Sequence, residues 1–156
     1  MTRLFDATVL GDPFDPDVGL GPVVSRAACD RIIAMIEDAS RSERGRPRAG
    51  GYREEGRLAN GFFVRPTLFT EIDNSTSIAR EEVFGPVLTA MPFANDDEAV
   101  ELTNDSELGL AAYLHTKSLE RAHRIARDLD AGNIGVNGGA GLAGPYAPFG
   151  GFKDSG

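Results

Sequence analysis

The chain has one cysteine, Cys29, and two histidines, His115 and His123, among its 156 residues. A single thiol rules out an intrachain disulfide and a cysteine-rich metal site, and fits a reducing, cytoplasmic setting. The histidines lack metal-ligand spacing: His115 closes an expected strand and His123 lies on an expected helix, so both read as structural or solvated. No apolar run approaches the roughly 20 residues that a membrane span requires, and the opening Met1 to Asp6 lacks the apolar core of a signal peptide. Neither a span nor a targeting signal is read. Basic charge is also short, with 16 Lys and Arg against 24 Asp and Glu and a net charge of -8, which argues against a nucleic-acid partner. Arg41, Arg44, Arg46, Arg48, Arg53 and Arg57 form a local basic run, but Glu43, Glu54 and Glu55 are mixed into it, so it reads as a solvated loop.

What remains is an ordinary globular composition, 41% hydrophobic and 26% charged. The length suits one core, with no internal repeat or linker, so one domain over residues 1–156 is expected. The opening, through Gly11-Asp12-Pro13 and Gly19-Leu20-Gly21-Pro22, reads as extended loop because Gly, Pro and Asp set turns. Ser25 is placed to cap a helix whose Cys29, Ile32, Ile33 and Ile36 form one apolar face. A polar, Gly-rich loop with a short strand near Ala49 follows. Phe62 to Phe69 has strand composition, with Pro66 confining it to an edge or an irregular position.

Val87 to Phe93 is a near-continuous apolar strand of the kind covered on both faces. Asn95 and Glu98 form a capping pair for a helix to about Thr103, and the acids Asp96, Asp97, Glu98 and Glu101 suit its amino end. Ala111 to His115 reads as a strand. Ser118 to Asp130 reads as a helix with Leu119, Ala122, Ala126 and Leu129 on one side, stopped by a left-handed Gly132. Asn133 to Asn137 is a last strand, and Gly138 to Gly144 a Gly-rich loop on the substrate side, since no helix start follows to make it a phosphate cradle. This alternation predicts an α/β fold with a largely parallel sheet flanked by helices, its site at the carboxyl ends of the strands.

Several motifs fall in a recognisable order. They are Gly11-Asp12-Pro13, Gly21-Pro22, Gly61-Phe62-Phe63-Val64-Arg65-Pro66-Thr67, Glu81-Glu82-Val83-Phe84-Gly85-Pro86-Val87, Glu98-Ala99, Asn104, Gly109-Leu110, Gly132, Val136-Asn137 and Pro148-Phe149-Gly150-Gly151-Phe152-Lys153-Asp154-Ser155-Gly156. Together they resemble the aldehyde dehydrogenase superfamily over nearly the whole chain. The resemblance implies part of a catalytic domain, from the carboxyl side.

It also implies that Glu82 hydrogen-bonds the nicotinamide ribose, that Phe84 lies beside it, and that Asn137 and Phe149 lie near the aldehyde pocket. A carboxylate can accept bonds from both ribose hydroxyls, and a rigid ring limits wandering of the nicotinamide. The structural alternatives are a solvated helix-end Glu82, a core Phe84, a turn-satisfying Asn137 and a core Phe149. Gly150 and Gly151 are expected to allow close backbone packing.

The family reaction, oxidation of an aldehyde to a carboxylic acid with NAD or NADP, needs a cysteine nucleophile, oxyanion donors and a general-base glutamate. The family nucleophile follows a Gly-Gln-x-Cys pattern that this sequence does not contain. The resemblance places that segment, the general base and most of the cofactor site upstream of Met1. Cys29 lies on an apolar helix face and reads as a small buried hydrophobe. The isolated chain is therefore expected to turn over no aldehyde and not to bind NAD or NADP alone, and the amino-terminal half becomes a possible partner. Family members continue past Lys-x-Ser-Gly into an arm that pairs with a neighbouring subunit, so oligomerisation through that arm is not expected of a chain ending at Gly156. The alternative function is a non-catalytic interaction module or truncated remnant of the family.

Overall fold

Two helices, α1 (Thr2–Ala7) and α2 (Arg26–Ala39), open the structure, a computed structural model that describes residues 1–41, 45–138 and 148–156. The described residues gather into two compact units, Met1–Pro92 and Phe93–Gly156. In the first, α2 is the helix that the sequence predicts. The Ser25 hydroxyl accepts the Ala28 N–H at 3.1 Å, supplying a partner for a backbone donor that the first turn leaves free. Cys29, Ile32, Ile36 and Ala39 are buried and pack with Val64, Phe69, Ile72 and Ile78 as the core of this unit. Burying each isoleucine side chain contributes about 1.5–3 kcal/mol. The short α1 is a departure, since the opening reads as loop; it buries none of its own residues.

The expected strand from Phe62 to Phe69 narrows to β1 (Thr67–Phe69), all three residues buried. Pro66 has no N–H to give a ladder, and upstream of it pairing is reduced to an isolated Arg53–Val64 bridge, with Ala49 bridging Leu68 from the other side. After the one-turn α3 (Ser77–Arg80), β2 (Val87–Thr89) lies parallel to β1, with Thr67 opposite Val87 and Phe69 opposite Thr89. The apolar run at β2 is not covered on both faces as its composition suggests, because Leu88 stays exposed.

The second unit runs through α4 (Asp96–Asn104), β3 (Leu108–Gly109), β4 (Ala111–Leu114), α5 (Leu119–Asp128), β5 (Asn133–Val136) and β6 (Phe152–Lys153). Strands β4 and β5 are parallel, Ala111 opposite Asn133 and Leu114 opposite Val136, while β3 and β6 pair antiparallel. Among the described residues, two of the three strand pairs are thus parallel, and helices connect their members, the expected α/β pattern. Asn95 caps α4 by accepting the Glu98 N–H at 3.0 Å, and the Glu98 carboxylate reaches back to the Ala94 N–H at 2.5 Å.

Helix α5 is capped by Ser118, whose hydroxyl accepts the Arg121 N–H at 3.2 Å. Its buried face is Ala122 and Ile125, whereas Leu119, expected on that face, is 74% exposed. The helix ends in an extended Leu129, and Gly132 does not adopt a left-handed conformation. Gly132 is instead required by close packing, because a Cβ there would lie 1.9 Å from the Gly150 carbonyl oxygen. No described helix is long and apolar enough to cross a membrane.

Candidate functional site

The Glu81 to Gly85 segment joins α3 to β2 and is fastened at both ends. Glu81 N–H donates to Ser77 O at 2.8 Å, and the Pro86 carbonyl accepts the Thr67 N–H at 2.8 Å. Between these anchors the Arg31 guanidinium of α2 donates to the Val83 carbonyl at 2.6 Å. Gly85 sits so close to α2 that a Cβ on it would meet Ile32 Cδ1 at 2.5 Å. The Val83 side chain packs against the buried core.

With Val83 and Gly85 held, the residues beside them are presented outward. Phe84 adopts φ 47°, a left-handed conformation that costs a non-glycine residue about 1–2 kcal/mol, and its side chain is 77% exposed, not in the core. Glu82 is exposed and carries no hydrogen bond or ion pair among the described residues. Glu81, Glu82, Phe84, Leu88 and Thr89 line a groove of about 410 Å³. The arrangement places an exposed carboxylate beside an exposed ring.

In the second unit, Asn137 follows β5 with φ 54°. Its amide is used in both directions, Oδ1 accepting the Thr116 N–H at 2.9 Å and Nδ2 donating to Thr116 O at 2.8 Å. Its own N–H donates to Leu114 O at 2.8 Å. Asn137 thus holds the chain just beyond the carboxyl end of β4, which is the turn-satisfying arrangement. Phe149 is 73% exposed and fills no core. The Gly-rich loop read at Gly138 to Gly144 lies, beyond Gly138 itself, outside the described residues, as does the Ser42 to Arg44 part of the basic run.

The terminal motif acts as a clasp. Lys153, at φ 55°, donates through Nζ to Asn104 O at 2.6 Å and lies 3.7 Å from Asp130 Oδ2. Ser155 Oγ accepts the Gly109 N–H at 3.1 Å. Asn104 joins the end of α5 through its side chain, which donates to Asp128 O and accepts the Asp130 N–H, each at 2.8 Å. Gly151 is the closely packed glycine of the pair, a Cβ there falling 2.5 Å from Ser155 O, whereas a Cβ on Gly150 meets nothing within 4 Å among the described residues and its carbonyl takes the approach of Gly132. Among the described residues, Phe84, Asn137 and Lys153 are the only non-glycine residues at positive φ, and all three fall in the motifs singled out by sequence.

Cys29 is fully buried. His115 and His123 are exposed, and no cluster of metal-ligating side chains occurs among the described residues. The basic loop is more than solvated: Arg53 donates to Gly61 O at 3.0 Å and Arg48 pairs with Glu71. Asp96, read as a helix-end acid, also joins α4 to α5. The hydrogen bond from Arg121, reinforced by the charges of Arg121 and Arg124 and opposed by partial burial, holds its carboxyl below the ordinary value of 3.8. Arg31 was not legible as part of the loop's support, since its partner lies 52 residues away.

Comparison with known proteins supplies a family. The model described as "Aldehyde dehydrogenase family" matches residues 1–156. Betaine aldehyde dehydrogenase of Cereibacter sphaeroides strain ATCC 17029 is 43% identical over 151 residues, covering 97% of this chain and 30% of that protein. The chloroplastic betaine aldehyde dehydrogenase of Beta vulgaris is 43% identical over 150 residues, covering 94% and 29%. Among solved structures, the Mycobacterium tuberculosis aldehyde dehydrogenase complexed with NAD+ superposes with TM-score 0.90 at 37% identity, over 99% of this chain and 31% of that one. A Staphylococcus aureus betaine aldehyde dehydrogenase point mutant in complex with NAD+ gives 0.92 at 35% identity, over 97% and 31%. The chain thus spans about 30% of the length of the relatives it matches.

Proposed function

Because this chain belongs to the aldehyde dehydrogenase family, we propose that it is the carboxyl-side part of an NAD(P)-dependent catalytic domain that oxidises an aldehyde to a carboxylic acid. The observation that carries the reading is the loop holding Glu82 and Phe84, a carboxylate with no partner among the described residues next to an outward ring in a strained conformation. The pair suits a dinucleotide: the Glu82 carboxylate has acceptor sites for the two hydroxyls of a nicotinamide ribose, and the Phe84 ring restricts the nicotinamide beside it. When bound, NAD(P) accepts the hydride of the oxidation.

Phe149 is an apolar surface for the aldehyde side. Asn137 acts there by fixing the Thr116 backbone, as its amide is spent on that residue. The covalent step needs a thiolate, and the one cysteine here is buried in the core between α2 and β1, so the isolated chain turns over no aldehyde. Its partner is a segment that supplies the Gly-Gln-x-Cys nucleophile and the rest of the dinucleotide site.

Complementation tests this. The chain is mixed with a separately produced amino-terminal segment of a related enzyme, and NAD(P)H formation from an aldehyde is followed. Activity is expected from the mixture and from neither part alone. Aldehyde oxidation by this chain alone, abolished by Cys29→Ala, would overturn the reading.

A further inference from the structure

Arg31 is an exposed residue of α2, next to the fully buried Ile32. Its guanidinium is itself placed: Nη1 lies 3.3 Å from Met35 Sδ one turn along the helix, while Nη2 donates to the Val83 carbonyl at 2.6 Å. A charged donor on a carbonyl is stronger than a neutral one. Among the described residues no other hydrogen bond reaches Glu82, Val83 or Phe84. The bond fixes the peptide carbonyl between Val83 and Phe84, and so bears directly on a backbone conformation that Phe84 does not favour by itself. Ile32 sets the height of the same loop through its approach to Gly85. Two successive residues of α2 therefore hold two sides of the loop.

We propose that Arg31 is a positioning residue: by holding the Val83 carbonyl it keeps Phe84 left-handed and Glu82 presented, ready for the dinucleotide before it arrives. The inference rests on the reading of Glu82 and Phe84 given above. Releasing the tether lets the loop sample other conformations, and apparent affinity falls by the fraction of chains still in the competent one. A fall to one tenth weakens apparent affinity about tenfold.

The test compares wild type, Arg31→Met and Arg31→Lys. In the chain itself, NMR reads the φ-dependent coupling at Phe84 and the heteronuclear NOE from Val83 to Gly85. Arg31→Met is expected to give an averaged coupling and lowered NOE in the loop, with α2 unchanged, and Arg31→Lys, whose ammonium can still donate, to recover part of both. In enzyme reconstituted by complementation, Arg31→Met is expected to raise KM for the dinucleotide about tenfold with kcat changed much less. Wild-type coupling and NOE in Arg31→Met overturn the positioning role whatever Glu82 does. An unchanged dinucleotide KM in Glu82→Gln overturns the ribose reading whatever the loop does, leaving Arg31 as the tether of the loop.

Discussion

Replacing Gly132 with alanine places a Cβ 1.9 Å from the Gly150 carbonyl oxygen, 2.7 Å from its carbon and 2.9 Å from Gly151 Cα. All three atoms are backbone, so no rotamer change can relieve the clash. The segment carrying Gly150 and Gly151 has to move away, and the Asn133 Nδ2 bond to Gly150 O at 3.1 Å weakens with it. Overpacking of this kind costs about 1–3 kcal/mol. Because Gly132 is not left-handed, alanine also returns about 0.4–1 kcal/mol by restricting the unfolded chain. With the clash at the upper end of its range, the net loss is about 2 kcal/mol, roughly thirtyfold in the ratio of folded to unfolded molecules. Urea denaturation followed by far-ultraviolet circular dichroism, with hydrogen exchange at the β4 and β5 amides, measures it. Gly150→Ala is the matched control, since its Cβ meets nothing within 4 Å among the described residues, and it should stay within about 0.5 kcal/mol of wild type. Equal stability of Gly132→Ala and wild type, or equal damage from Gly150→Ala, would refute the close-approach argument.

Three further outcomes follow from the geometry. Cys29 is fully buried, so a thiol reagent should label it only at the rate of unfolding, and labelling as fast as a free thiol would contradict its place in the core. Asp96 is held below its ordinary value, so it binds its proton less readily folded than unfolded; its contribution is full above pH 3.8 and is lost as pH falls through that value and below. An NMR titration should show the lowered midpoint, and Asp96→Asn should flatten this part of the acid dependence of stability. At Asn137, Asn137→Gly loses the Thr116 bonds but keeps the left-handed backbone, whereas Asn137→Ala loses both. The alanine variant should therefore be the less stable by about 1 kcal/mol in a denaturation series.

The sequence announced elements whose signals are local. Ser25 with the Cys29, Ile32 and Ile36 stripe predicts α2, and Asn95 with Glu98 predicts α4, because cap and periodicity act within a few residues. Where non-local contacts decide, legibility fails. The stripe assigned to α5 includes Leu119, but the helix turns Ala122 and Ile125 inward, a choice made by what packs on it. Gly132 reads as a helix stop, yet its requirement comes from Gly150, 18 residues on. The same division applies to the candidate site. Glu82, Phe84, Asn137 and Phe149 are recognisable by motif, but composition would place Phe84 in a core. Its left-handed backbone and outward ring depend on Arg31 and Ile32 of a helix far away in sequence.

The most direct test of the central claim is the dinucleotide KM of Glu82→Gln in enzyme reconstituted from this chain and an amino-terminal segment carrying the nucleophile. The amide keeps the size of the side chain and removes its charge. Loss of a charge-assisted hydrogen bond predicts a rise of about tenfold or more, with the stability of the chain itself unaltered because Glu82 makes no described bond within it. A KM equal to that of wild type, at the same stability, would contradict the claim that this loop is the dinucleotide side of an aldehyde dehydrogenase.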